Sequence, residues 1–260
     1  MRKPVIAGNW KMFKTAAETR TFVKAFRPLA DHLIDREVVL CAPFTALWAL
    51  AEELKGSAIA VGAQNAHWEE KGPYTGEVSV GMLKEIGVRY VVVGHSERRQ
   101  YFGETDATVN KRTLAVLAAG LTSITCIGET LQEREAHQTF QVLERQIREG
   151  LKGLAARALV VIAYEPVWAI GTGKTATPAQ AEEAHHFIRK EFAKRYGDAA
   201  AEAVRILYGG SIKPDNMASL MKEKDIDGGL VGGASLEADS FARIVRYELQ
   251  APGSKLQAIP

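Results

Sequence analysis

Residues 163–177, AYEPVWAIGTGKTAT, carry the side chain in this chain that is best suited to proton transfer. Its acid, Glu165, follows an apolar run typical of a buried strand and precedes Pro166. Proline fixes its own φ and keeps the preceding residue out of the helical region, so the carboxylate stands on a stiff backbone. Desolvation raises the pKa of such a carboxylate toward the range useful for a general base. We therefore predict that Glu165 accepts a proton from a substrate.

Small residues and glycines follow Glu165, and stiffer segments flank them, which is the composition of a lid with two hinges. A lid beside a base indicates chemistry that must be kept away from water. The predicted lid consists of Pro166, Val167, Trp168, Ala169, Ile170, Gly171, Thr172, Gly173, Lys174, Thr175 and Ala176.

Two nucleotide-binding motifs compete for the same segment. Residues 173–175 are similar to the end of a phosphate-binding P-loop, but that motif requires a glycine where the chain has Trp168. Residues 171–176 fit the loose dinucleotide fingerprint, but Gly171 does not directly follow the strand and no acidic residue closes a ribose site. An ordinary strand-to-helix loop explains the glycines but not the stiffened carboxylate.

Short apolar, β-branched runs alternate with longer segments of helical period along the whole chain. The predicted strands are residues 5–7, 38–41, 59–63, 90–93, 122–127, 158–164, 205–208 and 228–231. The predicted helices are residues 16–30, 45–54, 79–86, 106–119, 132–149, 178–196, 214–221 and 236–249. Eight such units in about 250 residues predict an α/β fold, a single (β/α)₈ barrel of parallel strands over residues 1–250. Residues 251–260 are predicted to be a surface or disordered tail.

A doubly wound open sheet is the alternative fold, and it fits less well because residues 8–11 lack its usual glycine fingerprint. In the barrel, function lies at the carboxyl ends of the strands. Lys11, His95 and Glu165 follow strands one, four and six, and glycine-rich corners at 209–211 and 232–233 follow the last two strands. Backbone N–H groups at such corners are suited to a phosphate dianion.

The three charged or titratable groups at the strand ends suggest distinct tasks. A short helix after His95 would direct its N-terminus at the imidazole and keep the ring neutral. Lys11 would supply positive charge for a developing oxyanion or for a phosphate. Together with a base and a lid, these groups indicate proton abstraction next to the carbonyl of a small phosphorylated substrate. That reaction needs no cofactor, and we predict none.

The composition argues against several other classes of protein. The 260 residues have a net charge of +2, which gives no electrostatic case for nucleic acid or a membrane surface. The N-terminal apolar run is too short for a signal peptide, and no segment approaches the ~20 apolar residues of a membrane span. Neither the two cysteines nor the histidine pairs have metal-ligand spacing, so we predict no metal site and a reducing cytoplasmic location. The histidines assigned structural or surface positions are His32, His67, His137, His185 and His186.

Six segments of the chain strongly resemble signatures of the triosephosphate isomerase family. They are AGNWKM at 7–12, VVVGHSERRQYFGETD at 91–106, CIGETLQERE at 126–135, AYEPVWAIGTGKTAT at 163–177, YGGSIKPDN at 208–216 and LVGGASL at 230–236. The resemblance implies a TIM barrel that interconverts dihydroxyacetone phosphate and D-glyceraldehyde 3-phosphate through an enediolate, in glycolysis and gluconeogenesis.

The same resemblance implies a role for individual residues. Glu165 matches the proton acceptor, His95 the electrophile, and Lys11 the cation, which contacts the substrate together with Asn9. Tyr208 and Ser211 match the partners that latch the closed lid. The phosphate-binding matches are Gly171, Ser211, Gly232 and Gly233, and the supporting residues are Glu97, Ser96, Cys126 and Tyr208.

The resemblance also implies a homodimer in which residues 64–78, a long loop that begins at Gln64, insert into the neighbouring subunit. Thr75 matches the residue that reaches the partner's active site. Trp68 and Tyr74 in this loop would be costly to leave exposed.

Two further classes compete with the isomerase. One is a barrel lyase that uses Lys11 as a Schiff-base nucleophile, although such a lysine is normally buried and Lys11 follows a strand end in a polar context. The other is a phosphate-binding protein without catalysis, which would bind its ligand without exchanging a carbon-bound proton.

Overall fold

Eight parallel strands form the centre of the computed structural model, which describes residues 2–155, 159–170 and 175–247. The strands are β1 (Val5–Asn9), β2 (Glu37–Ala42), β3 (Ala60–Ala63), β4 (Tyr90–Val93), β5 (Thr122–Ile127), β6 (Val160–Tyr164), β7 (Arg205–Tyr208) and β8 (Gly228–Val231). They pair in chain order, and β1 pairs with β8 to close the barrel. The predicted (β/α)₈ architecture is confirmed, and the open sheet is excluded because both edges are joined.

Helices follow the strands around the barrel, and the last of them comes after β8. They are α1 (Ala16–Ala30), α2 (Phe44–Glu53), α3 (Val80–Glu85), α4 (Ser96–Tyr101), α5 (Asp106–Ala118), α6 (Leu131–Glu135), α7 (Thr139–Gly150), α8 (Pro178–Tyr196), α9 (Asp198–Ala203), α10 (Met217–Leu220) and α11 (Ala238–Val245). Four of them begin with capping boxes, in which a threonine side chain and the third helical residue satisfy each other's backbone N–H groups. The capping threonines are Thr15, Thr105, Thr130 and Thr177.

The helical region after β5 differs from the prediction of one helix over residues 132–149. The structure has two helices there, α6 and α7, separated by residues 136–138. His137 has a φ of 56°, which lies in the left-handed region and cannot be part of an α-helix. The helix predicted over 214–221 is reduced to α10, and α9, which follows Gly197 at a φ of 84°, was not predicted.

Alternate residues of each strand point to opposite faces of the barrel wall, and this alternation aims the site residues. Val5 and Ala7 belong to the cluster inside the barrel, whereas Ile6 belongs to the layer between strands and helices. Val161 and Ala163 likewise point inward, so the same alternation directs Glu165 toward the barrel mouth.

His185, on α8, couples the stability of this fold to pH. Its side chain is fully buried, its Nδ1 lies 3.2 Å from the carbonyl oxygen of Asp225, and its Nε2 has no partner among the described residues. Burial lowers the pKa of His185 from 6.5 to about 3. Between these values the unfolded chain binds a proton that the folded chain does not, so stability falls as the pH falls.

We expect His185→Gln to reduce this pH dependence. From pH 7 to pH 5, His185 should contribute a loss of about 2 kcal/mol to the unfolding free energy of the unsubstituted protein. The variant should lack this part of the loss, while His32→Gln, at an exposed histidine, should keep it. Urea unfolding at both pH values and one fixed protein concentration measures the difference. Equal pH dependence in all three proteins would contradict the assignment.

Candidate active site

Glu165 lies one residue beyond β6, where its backbone is held against the end of β5. Its N–H donates to the carbonyl oxygen of Ile127 at 2.7 Å. A Cβ at Gly128 would lie 1.7 Å from the carbonyl oxygen of Glu165, and a Cβ at Gly209 would lie 2.9 Å from its Cγ. Glycine is therefore required at both positions to make room for the carboxylate and its backbone. The sequence reasoning gave Gly128 no role and assigned Gly209 only to a phosphate corner.

The carboxylate of Glu165 is buried, with 2% of the residue exposed, and both of its oxygens accept hydrogen bonds. Oε1 lies 2.9 Å from Nε2 of His95, and Oε2 accepts the N–H of Ser96 at 2.8 Å. Burial acts to raise the pKa of Glu165, but His95, the Ser96 N–H and Lys11 outweigh it, so the pKa is lowered. The expectation of a raised pKa is therefore wrong for this arrangement, because two hydrogen bonds stabilise the ionised form.

His95 immediately precedes α4, as the sequence predicted, and the N–H of Glu97 donates to its Nδ1 at 3.3 Å. Only a ring without a proton on Nδ1 can accept that bond, so the contact favours a neutral imidazole with its hydrogen on Nε2. Burial also acts to lower the pKa of His95, whereas Glu165 acts to raise it and prevails. The prediction that the pKa of His95 is lowered is therefore wrong, because the Glu165 carboxylate stabilises the protonated ring. In either protonation state, Nε2–H is the donor that faces Glu165.

Lys11 is held in an uncommon backbone conformation after β1, with a φ of 53°. Its N–H donates to Oδ1 of Asn9 at 3.1 Å, and its carbonyl accepts Nε2 of Gln64 at 2.8 Å. The Lys11 ammonium lies 2.6 Å from Oε1 of Glu97. These contacts fix a positive charge at the barrel mouth.

A cavity of about 280 Å³ brings the predicted substrate-contacting groups together. Its lining includes Asn9, Lys11, His95, Glu165, Ser211, Gly232 and Gly233. At Gly233 an added Cβ would meet nothing within 4 Å, so the backbone there is open to the cavity. Gly171, the remaining predicted phosphate contact, lies outside the described residues, as do Thr172, Gly173 and Lys174.

The described start of the predicted lid is anchored to a buried acid that the sequence reasoning missed. Glu129 accepts hydrogen bonds from Nε1 of Trp168 at 2.9 Å and from the hydroxyl of Tyr164 at 3.1 Å. Its carbonyl accepts the N–H of Val167 at 3.1 Å, and Arg134 pairs with its carboxylate at 3.1 Å. Glu129 follows β5 by two residues, so its position just after a strand is the signal in the sequence that marks it.

The remaining supporting residues occupy separate positions around the site. Cys126 is fully buried beside Glu165, and burial raises the pKa of its thiol well above the ordinary value. Tyr208 is buried at the end of β7, where burial raises the pKa of its hydroxyl to about 12. Thr75 is exposed on the loop after β3. The latching of the lid by Tyr208 and Ser211 stays a prediction, since residues 171–174 lie outside the described chain.

Within residues 2–155, 159–170 and 175–247, no group of three or more His, Cys, Asp or Glu side chains is arranged to hold a metal ion. In the same residues, no helix combines the length and apolar character that a membrane crossing requires.

Comparison with known proteins assigns the chain to a family. The family model for triosephosphate isomerase matches residues 4–248. The triosephosphate isomerase of Moorella thermoacetica is 61% identical over 251 residues, which cover 95% of this chain and 100% of the relative. That of Endomicrobium trichonymphae is 58% identical over 249 residues, covering 95% and 99%. The crystal structure of triosephosphate isomerase from Bartonella henselae superimposes with a TM-score of 0.86 at 41% identity, over 95% of this chain and 100% of that one. The chain therefore belongs to the triosephosphate isomerase family.

Proposed function

We propose that Glu165 moves the proton in the reaction that this isomerase catalyses, the interconversion of dihydroxyacetone phosphate and D-glyceraldehyde 3-phosphate. The observation that carries the proposal is one small cavity lined by a carboxylate, an imidazole and an ammonium group. Each side chain comes from a different strand end, and each is held by its own hydrogen bonds. Such preorganisation is what electrostatic stabilisation of a transition state requires.

In the proposed mechanism, Glu165 removes a proton from the substrate carbon next to the carbonyl group. The C–H electron pair forms the carbon–carbon double bond of an enediolate, and negative charge develops on the carbonyl oxygen. Nε2–H of His95 donates to that oxygen, and the Lys11 ammonium stabilises the charge. His95 passes its Nε2 proton to that oxygen and takes the proton of the neighbouring hydroxyl group, which moves the negative charge to the second oxygen. Glu165 then returns its proton to the former carbonyl carbon, and the second oxygen becomes the new carbonyl oxygen, so that every proton is accounted for.

We infer that the contact between Glu165 and His95 lets substrate binding raise the basicity of Glu165. At 2.9 Å from the His95 ring, the carboxylate is held ionised and ready to accept a proton. A substrate that takes the Nε2–H of His95 for its own oxygen removes the main contact that lowers the pKa of Glu165. Burial, the largest influence on the pKa of Glu165, then meets less opposition, and a higher pKa would increase the driving force for proton abstraction.

The phosphate group of the substrate is proposed to lie against backbone N–H groups of Ser211, Gly232 and Gly233. These residues line the same cavity as Glu165, and glycines let a phosphate approach the backbone closely. Gly171 is proposed to add a further N–H from the lid, which would also exclude water from the enediolate.

A coupled isomerase assay with and without a phosphate-bearing enediolate analogue tests this function. We expect turnover of either triose phosphate and competitive inhibition by the analogue. A folded protein that binds inorganic phosphate but turns over neither substrate would support the non-catalytic binding protein instead. Membership of an isomerase family argues against the barrel lyase.

We also propose that the enzyme is a cytoplasmic homodimer. Many large apolar side chains of the loops and helices between β1 and β5 are exposed in the single chain, and burial of such side chains against a second copy would remove them from water. They include Met12, Phe13, Phe44, Trp48, Tyr74, Met82, Tyr101 and Phe102. Sedimentation should give twice the chain mass, and a monomer at micromolar concentration would contradict the proposal. The two buried cysteines are unpaired, as suits a reducing compartment.

A further inference from the structure

Arg99, on α4, bridges the ends of two neighbouring strands with one guanidinium group. Its Nε donates to the carbonyl oxygen of Gly94 at 2.9 Å, and its Nη2 donates to the carbonyl oxygen of Cys126 at 3.1 Å. The β4–β5 ladder ends at the pair Val93 and Thr125. Arg99 therefore links the backbone after β4 to the end of β5, one residue beyond the last pair of the β4–β5 ladder.

Each residue that Arg99 holds directly precedes a residue that fixes the catalytic geometry. Gly94 precedes His95, whose Nε2 lies 2.9 Å from Oε1 of Glu165. Cys126 precedes Ile127, whose carbonyl oxygen accepts the backbone N–H of Glu165 at 2.7 Å. The guanidinium thus lies between the segment that carries the imidazole and the segment that holds the base.

The guanidinium of Arg99 is itself fixed by Asp106 at the start of α5. Nη1 of Arg99 lies 2.6 Å from Oδ1 of Asp106, and the Arg99 side chain is only 17% exposed. Oδ2 of Asp106 pairs with the more exposed Arg145 at 3.1 Å. A planar guanidinium donates in several fixed directions, whereas a lysine ammonium at the same place cannot reproduce this fork.

We propose that Arg99 is a positioning residue that sets the distance between the His95 ring and the Glu165 carboxylate. The inference rests on the proposed roles of those two residues. A displacement of about 1 Å in a catalytic group can lower a rate about 100-fold, so the loss of this bridge should affect the chemical step. Binding of phosphate should be spared, because its proposed site lies at β7 and β8, away from Arg99.

The test compares Arg99→Met and Arg99→Lys with Arg145→Met as the matched control. Arg145→Met removes the other cationic partner of Asp106 and leaves both carbonyl contacts of Arg99 intact. We expect Arg99→Met to lower kcat about 10- to 100-fold, with KM and the inhibition constant of inorganic phosphate changed less than about threefold. Arg99→Lys should lie between Arg99→Met and the unsubstituted protein, and Arg145→Met should stay within about twofold of it.

An unchanged kcat in folded Arg99→Met would overturn the inference, and so would a parallel loss of turnover and phosphate affinity, which indicates general loosening. If Arg99→Met does not fold, Arg99→Lys and Asp106→Asn are judged by the same two constants. Glu165→Gln, assayed alongside, distinguishes a failure of the proposed base from a failure of the positioning role of Arg99. Near-normal turnover in Glu165→Gln rejects the proposed base, whereas loss in Glu165→Gln with retention in Arg99→Met rejects only the positioning role.

Discussion

Glu165→Gln is expected to lower kcat by about 10²- to 10⁴-fold, the range that general acid–base catalysis contributes. An amide has nearly the shape of the carboxylate but cannot accept the substrate proton. Its oxygen can still accept the N–H of Ser96, which now bonds to Oε2 at 2.8 Å. The fold should therefore persist, and KM should change much less than kcat. A coupled assay at saturating substrate measures the effect, with circular dichroism and sedimentation as checks on structure.

Glu202→Gln provides a matched control for this experiment, because it removes the same charge from a side chain that is 75% exposed. We expect its kcat to equal that of the unsubstituted enzyme. If Glu165→Gln kept turnover within about tenfold, the loss would be smaller than a general base supplies, and Glu165 would not be the base.

Lys11→Met is expected to lower kcat/KM by about 10²- to 10³-fold, the typical cost of removing a group that stabilises a developing oxyanion. The thioether keeps much of the length of the side chain but carries no charge. The Lys11 ammonium lies 2.6 Å from the Glu97 carboxylate. Its removal therefore also leaves the negative charge of Glu97 without this partner at the edge of the cavity. Both changes make the site less favourable for an anionic substrate and for the enediolate. Initial rates over a range of substrate concentrations measure the loss.

Lys55→Met, at an exposed lysine, is the control for the loss of one positive charge, and we expect it to leave kcat/KM unchanged. Borohydride treatment of the unsubstituted enzyme with substrate adds a second readout. We expect no stable adduct, because Lys11 is proposed to act through its charge. An adduct on Lys11 would instead identify a Schiff-base nucleophile and contradict this role.

The sequence predicted the barrel and the meeting of Glu165, His95 and Lys11 at its mouth because the signals for both are local. β4, β5, β7 and β8 have the predicted bounds. Their short β-branched or glycine-containing runs lie between helical segments, which leaves little choice of where each strand begins and ends. Pro166 singled out Glu165, and position after a strand singled out His95 and Lys11. The alternation of side chains within a strand then directed Glu165 into the barrel mouth.

The features that the sequence did not predict arise from contacts between distant segments. Glycine is needed at 128 because Glu165 lies against it, and at 209 because Glu165 and the Tyr164 carbonyl lie against it. Neighbouring residues in the chain do not reveal either contact. The hydrogen bond from Trp168 to Glu129 spans 39 residues. The lowered pKa of Glu165 depends on His95, which comes from a strand two positions away in the barrel. The residue pattern within one segment cannot predict contacts between segments that lie far apart in the chain.

Solvent-deuterium exchange tests the role of Glu165 most directly. The enzyme is incubated in D₂O with dihydroxyacetone phosphate, and deuterium on carbon is measured by NMR in the product and in the remaining substrate. We expect the unsubstituted enzyme to incorporate deuterium, because a proton held by Glu165 can exchange with solvent before it returns to carbon. Glu165→Gln should bind inorganic phosphate normally and incorporate none above the uncatalysed rate. Incorporation of deuterium by Glu165→Gln at the unsubstituted rate would contradict this role of Glu165.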